Sequence, residues 1–327
     1  MRRSSEWRRA DGGRIGKSCG AATGLLGLIA VAGVILSACG GDDDAAAPAV
    51  ADPVAPSVGT SLSISTAADG SEALLLPADV RAVDEFGWSG ASDGDWMAVS
   101  SPFHDVAGPQ AGAVFLYHLA GEVWSEAGRL LGSDTTTGDW FGRWITMQGD
   151  VLVASSPFAD LGSALPDAGA LYVFGLENGV WTEQAKRTAE LPLQGAMFGF
   201  TLEVDGDTMV IGSPGNRGDR GGVAYVFRRI DGVWVQEAFL DPPDTIAGNS
   251  FGFYVDLEGD TLVMGAPTFG DPTMDGKAYV YERRAEGWFL AAQFVGAPRS
   301  DGDAFGSAVA VEGGLIAVGA FRADIDG

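Results

Sequence analysis

Carboxylates are the side chains of this sequence best suited to chemistry, and their spacing decides which chemistry is open to them. Asp105, Asp160, Asp167, Asp219, Asp271, Asp275, Asp324 and Asp326 all fall in polar stretches rich in Gly and Pro. A divalent cation such as calcium needs about six to eight oxygens around it. None of these stretches has the dense alternation of ligands that meets that need, so Asp105, Asp160, Asp219, Asp271 and Asp275 stand as candidates for a loose metal site only. A second set, Asp95, Asp150, Asp207 and Asp260, sits beside Gly in tight turns, where the ordinary work of Asp is turn chemistry. Arg217-Gly218-Asp219 spells an adhesion tripeptide, a candidate binding motif that a Gly- and Asp-rich loop also produces by chance. His104 and His118 are the only histidines. No Ser-His-Asp order and no His-rich metal pattern can be assembled, so no catalytic residue is assigned and the chain is read as non-enzymatic.

The elements that carry these residues repeat. Phe-Gly pairs occur at Phe86, Phe141, Phe198, Phe251 and Phe305, at spacings of 55, 57, 53 and 54. After each comes an alternating apolar run, strand A, and a Gly-containing turn. Strand B follows and ends at Ser101-Pro102, Ser156-Pro157, Ser213-Pro214, Ala266-Pro267 and Ala320-Phe321. Strand C reads Val114-Phe115-Leu116-Tyr117, Leu171-Tyr172-Val173-Phe174, Ala224-Tyr225-Val226-Phe227 and Ala278-Tyr279-Val280-Tyr281. Strand D carries Trp124, Trp181, Trp234 and Trp288. Landmarks kept in order at one period define an internal repeat of four-stranded antiparallel meanders. The regular Trp row has two readings, packing between units or a stacking platform for sugars, and its regularity favours packing.

Each meander is too small to stand alone, so neighbours must stack. The expected fold is all-β, a β-propeller whose blades begin near residues 86, 141, 198, 251 and 305, the last incomplete at Gly327. Two arrangements are open: part of a longer array, or a five-bladed ring in which Thr60–Leu76 supplies strands C and D to the last blade. The A-B and C-D turns share one face. The B-C and D-A loops share the other, and being long they mark the working face.

The N-terminus is a separate matter. Residues 1–38 combine a basic start with an apolar run from Ala21 to Leu36, the pattern of an export signal. Residues 39–59, rich in Ala, Pro and Asp, form a flexible tether, and the propeller spans 60–327. Residues 1–38 hold six basic and two acidic residues, leaving 14 basic and 42 acidic ones, a net charge of −28. Such a surface repels phosphate backbones, so nucleic-acid binding is excluded; its ordinary meaning is solubility. With Cys19 in the signal and Cys39 at its end, residues 40–327 contain no cysteine for a disulfide or a thiolate site.

Two resemblances follow from these residues. Leu36-Ser37-Ala38-Cys39 resembles the bacterial lipobox. This implies cleavage between Ala38 and Cys39, lipidation of Cys39, and a protein lipid-anchored to the cell envelope, at the outer membrane or cell surface. The ordered Phe-Gly, Gly-Ala-Pro, Tyr-Val-Phe and Trp landmarks over residues 71–327 resemble the FG-GAP repeats of integrin alpha chains, and most of all their bacterial branch. That resemblance implies a propeller of about seven blades. It also implies a monomeric binding or adhesion module for a protein or glycan, with a polysaccharide hydrolase or lyase and a structural part of a longer surface protein as alternatives. Integrin calcium loops lie between strands A and B, where this chain has only tight turns. No cofactor is therefore expected, and calcium is disfavoured.

Overall fold

The computed structural model describes residues 64–65, 75–215, 221–241, 244, 248–268, 276–296 and 304–320. They form nineteen strands and one short 3-10 turn over Ala82–Asp84. The first complete blade is β2 (Gly90–Asp93), β3 (Trp96–Ser101), β4 (Ala113–Ala120) and β5 (Val123–Leu130). The second is β6 (Ile145–Gln148), β7 (Val151–Ser156), β8 (Ala170–Glu177) and β9 (Val180–Arg187). The third is β10 (Thr201–Asp205), β11 (Thr208–Ser213), β12 (Val223–Ile230) and β13 (Val233–Leu240). The fourth is β14 (Tyr254–Glu258), β15 (Thr261–Ala266), β16 (Lys277–Arg284) and β17 (Gly287–Val295), and β18 (Phe305–Glu312) with β19 (Leu315–Ala320) begins a fifth. Among the described strands every pairing is antiparallel, and all but one join neighbours in sequence. That exception is β1 (Ile64–Ser65), which lies along the outer edge of β5, with Ile64 opposite Trp124 and Ser65 opposite Val123. The expected β-propeller of four-stranded blades is thus the fold. Residues 64–65 add a strand to the first blade and do not pair with β19. Residues 60–63 and 66–74, which the five-bladed arrangement would also use, lie outside the described residues.

The core lies between the blades. Strand B is buried on both faces in β7 and β11, because it sits in the middle of a sheet sandwiched by two others. Leu152 and Ala154 face the first blade, in a cluster with Val114, Leu116 and Phe141. Val151 and Val153 face the third, in a cluster with Phe198, Leu202 and Ile211. Strand D carries a bulge at the same place in all four complete blades, seen as a register shift at Leu116/Tyr117, Val173/Phe174, Val226/Phe227 and Val280/Tyr281. The extra residue resets the alternation. Trp234 and Leu240 are an even number of residues apart, yet Trp234 packs toward the second blade and Leu240 toward the fourth. Trp124, Trp181, Trp234 and Trp288 are all buried, so the Trp row is packing and offers no exposed stacking platform.

The Phe-Gly pair is the joint. Phe198 is fully buried and meets Tyr225 edge-on at 5.1 Å and Phe227 at 6.4 Å. Phe141 does the same with Tyr172 and Phe174, and Phe251 with Tyr279 and Tyr281. The Phe198 N–H donates to the Ala168 carbonyl of the preceding blade at 3.1 Å, and the Phe141 N–H to that of Ala111 at 2.8 Å. Gly169 and Gly112, at φ +87° and +89°, stand against the backbone of these phenylalanines. The chain enters the joint through a left-handed residue every time: Glu85, Trp140, Met197, Ser250 and Ala304 have φ of 49–55°. On the opposite face the blades are clasped by turns. The Gly149 N–H donates to Asp93 Oδ2 at 2.6 Å, that of Gly259 to Asp205 Oδ2 at 2.6 Å, and that of Gly313 to Glu258 Oε1 at 2.9 Å.

Candidate functional site

Strand A is the innermost strand, and the residue that follows the Phe-Gly pair, just ahead of that strand, lies at the end of the axis that carries the long loops. In successive blades that residue is Trp88, Arg143, Phe200 and Phe253. They form one stacked row around the axis. The Arg143 guanidinium lies 4.4 Å from the Trp88 ring centroid and 4.6 Å from that of Phe200, and the rings of Phe200 and Phe253 are 4.9 Å apart. A cation held between two aromatic faces is attracted by both quadrupoles and ties the first three blades together. A second arc runs outward from Trp88 through the loops: Trp88 to Phe103 at 5.9 Å, Phe103 to Trp140 at 4.5 Å, Trp140 to Phe158 at 4.4 Å. All of these rings are half-buried. They are neither part of the core nor fully in water, which is the usual state of a contact surface.

The loop carboxylates are placed beside this arc, one blade apart. Asp105 Oδ1 accepts the Gln110 N–H at 2.9 Å, and Asp160 Oδ1 accepts the Asp167 N–H at 3.0 Å. Each thus staples the end of its own B-C loop to its beginning. Asp105 Oδ2 also takes Arg81 at 2.5 Å, and that hydrogen bond holds the Asp105 carboxyl below the usual range. Burial, and then the nearby Asp160, push Asp167 up; burial is likewise the main reason that Asp139 is raised. Asp105 and Asp160 serve separate loops, and among the described residues no three His, Cys, Asp or Glu side chains gather to hold a metal ion. Asp95, Asp150, Asp207 and Asp260 act in the A-B turns, their carbonyls accepting the N–H groups of Leu119, Leu176, Arg229 and Arg283. Asp219, Asp271, Asp275, Asp324, Asp326, Arg217, Gly218, Ala38 and Cys39 lie outside the described residues.

The histidines are drawn into packing. His104 is buried; its Nδ1 accepts the Val106 N–H at 3.1 Å, and its ring meets Phe115 at 5.6 Å. The His118 ring lies 4.7 Å from that of Trp96. The aromatic arc itself had no marker in the sequence analysis. Its signal was there in the departures from the repeat: Trp140 directly before Phe141, and Phe103 and Phe158 directly after the strand-B prolines.

Further down the axis strand A presents Thr146, Glu203 and Asp256 at equivalent positions. Burial first, and then the Asp256 carboxylate, push Glu203 up to about 7. Its ordinary value is 4.5, so the folded state favours the protonated form. That stabilisation is complete below pH 4.5 and is lost as the pH rises to the folded value near 7. Stability should therefore fall by about 2–3 kcal/mol across this window on account of Glu203. Glu203→Gln should remove that fall, as read from urea melts at pH 5 and 7.5; an unchanged pH slope in the variant would refute the assignment.

Comparison with known proteins agrees with the repeat. No curated protein matches the chain. Among solved structures, an acylaminoacyl peptidase of Pyrococcus horikoshii is similar over 68% of this chain and 33% of its own, at 13% identity and a TM-score of 0.36. The chain thus spans about a third of that protein's length. Four stretches, residues 70–117, 124–174, 181–227 and 234–281, match the family described as FG-GAP repeat. The last three begin on the strand-D Trp of one blade, and all four end with strand C of a blade, so the matched unit crosses the Phe-Gly joint. They cover more than half of the sequence, and the chain belongs to the FG-GAP repeat family.

Proposed function

We propose that this is an exported, lipid-anchored bacterial surface protein whose propeller binds a protein or a glycan through its long-loop end, without enzymatic activity. The observation that carries the reading is the continuous half-buried aromatic surface of Trp88, Phe103, Trp140 and Phe158 beside Arg143 at that end of the axis. The anchor is supported by Leu36-Ser37-Ala38-Cys39 after an apolar run, and by residues 39–59, whose Ala, Pro and Asp composition suits a tether. Both histidines are taken up in packing.

Two measurements test this. The full chain made in a bacterium with a clickable fatty acid should take up label, and Cys39→Ser should not; an unlabelled wild type overturns the anchor. Cells displaying the chain should adhere to immobilised matrix proteins or glycans. That adhesion should drop with Phe253→Ser at the long-loop end and persist with Asp207→Ser in an A-B turn. The reverse pattern overturns the choice of face.

A further inference from the structure

The arc from Trp88 to Phe158 breaks the repeat that governs the rest of the molecule. Where the second repeat has Trp140, the others have Glu85, Met197, Ser250 and Ala304. Where the first two have Phe103 and Phe158, the third and fourth have Gly215 and Thr268. Blade architecture therefore does not demand aromatic rings at these places. Polar groups flank the rings. Gln110 is exposed, and its carbonyl accepts the Trp140 N–H at 3.2 Å. Asp160 spends Oδ1 on its loop, while Oδ2 accepts from no described residue.

We infer that this arc is a carbohydrate subsite and that its ligand is a neutral glycan. Aromatic faces accept the C–H face of a pyranose ring, and carboxylate and amide oxygens accept its hydroxyls. The surrounding charge sets the class. Glu85, Asp160 and Asp167 flank the arc at or near the surface of a strongly acidic chain and outnumber Arg143, whose guanidinium is stacked between Trp88 and Phe200; together they repel uronate, sulfate or phosphate groups.

The inference rests on the long-loop end being the working face, so the experiment separates the two. The full chain is applied to an array of neutral hexose, N-acetylhexosamine and pentose oligosaccharides, with uronate and sulfated ones beside them. Trp140→Ser, Phe103→Thr and Phe158→Thr place at each position a residue that other blades already carry there, so the fold is kept. Neutral glycans should bind, and each variant should bind about tenfold more weakly or worse. Binding confined to acidic glycans, binding to none, or neutral binding that all three variants retain overturns the glycan assignment. Neutral binding lost instead with Asp207→Ser overturns the choice of face as well.

Discussion

Gly169→Ala should unfold the joint between the second and third blades, at a cost of roughly 3–5 kcal/mol. A Cβ on Gly169 would stand 2.5 Å from the Phe198 nitrogen and nearer still to its carbonyl oxygen. Neither atom is free to move. The Phe198 N–H is bonded to Ala168, and the ring is locked edge-on against Tyr225 and Phe227. The backbone adds its own strain, since φ at Gly169 is +87°. Gly179→Ala is the control. It too has a positive φ, +79°, but an added Cβ meets nothing within 4 Å, so only the conformational cost of about 1 kcal/mol applies. Urea denaturation of both variants gives the answer. Equal losses would mean that the close approach of the two backbones does not limit this joint.

The second large effect is expected from Phe198→Ala, at about 3–5 kcal/mol. The ring is fully buried in the cluster that joins Val151, Val153 and Leu171 of the second blade to Ile211, Tyr225 and Trp234 of the third. Its removal leaves a cavity lined by residues whose own backbones are fixed in strands, so the site cannot collapse to fill it. Phe158→Thr, by contrast, removes a half-buried ring from a loop and should cost less than about 1 kcal/mol. A melt in which the two variants behave alike would contradict the division drawn here between joint phenylalanines and surface ones.

That division explains what was legible in the sequence. Phe141, Phe198 and Phe251 are required by the same geometry at each joint, so they recur at one period and periodicity finds them. The Asp-Gly turns recur for the same reason, because Asp93, Asp205 and the similarly placed Glu258 each accept the N–H of the next blade's turn glycine. The aromatic arc is required by no joint. Trp140 lies far along the chain from Phe103, and their meeting at 4.5 Å depends on the rotation between two blades, which no local pattern encodes. The strand-D bulge was hidden for a different reason. Strict alternation would place Trp234 and Leu240 on one face, and only the register shift at Val226/Phe227 sends them to opposite joints. The elevated Glu203 was equally invisible, since its neighbours Thr146 and Asp256 come from the blades on either side.

The joint itself has a consequence for symmetry. The glycine at the start of strand C in one blade meets the Phe backbone of the next, and that next blade offers its own glycine onward: Gly112 to Phe141, Gly169 to Phe198, Gly222 to Phe251, Gly276 to Phe305. Donor and acceptor surfaces lie on opposite sides of each unit, so the contact is heterologous, like the head-to-tail interface of a cyclic oligomer. Such a contact carries no information about how many units follow. Whether an array of these blades closes into a ring is set by the rotation per joint alone. Duplicating or deleting one blade leaves every remaining joint chemically intact. The blade number of such a protein can therefore drift in evolution while the joint chemistry stays fixed.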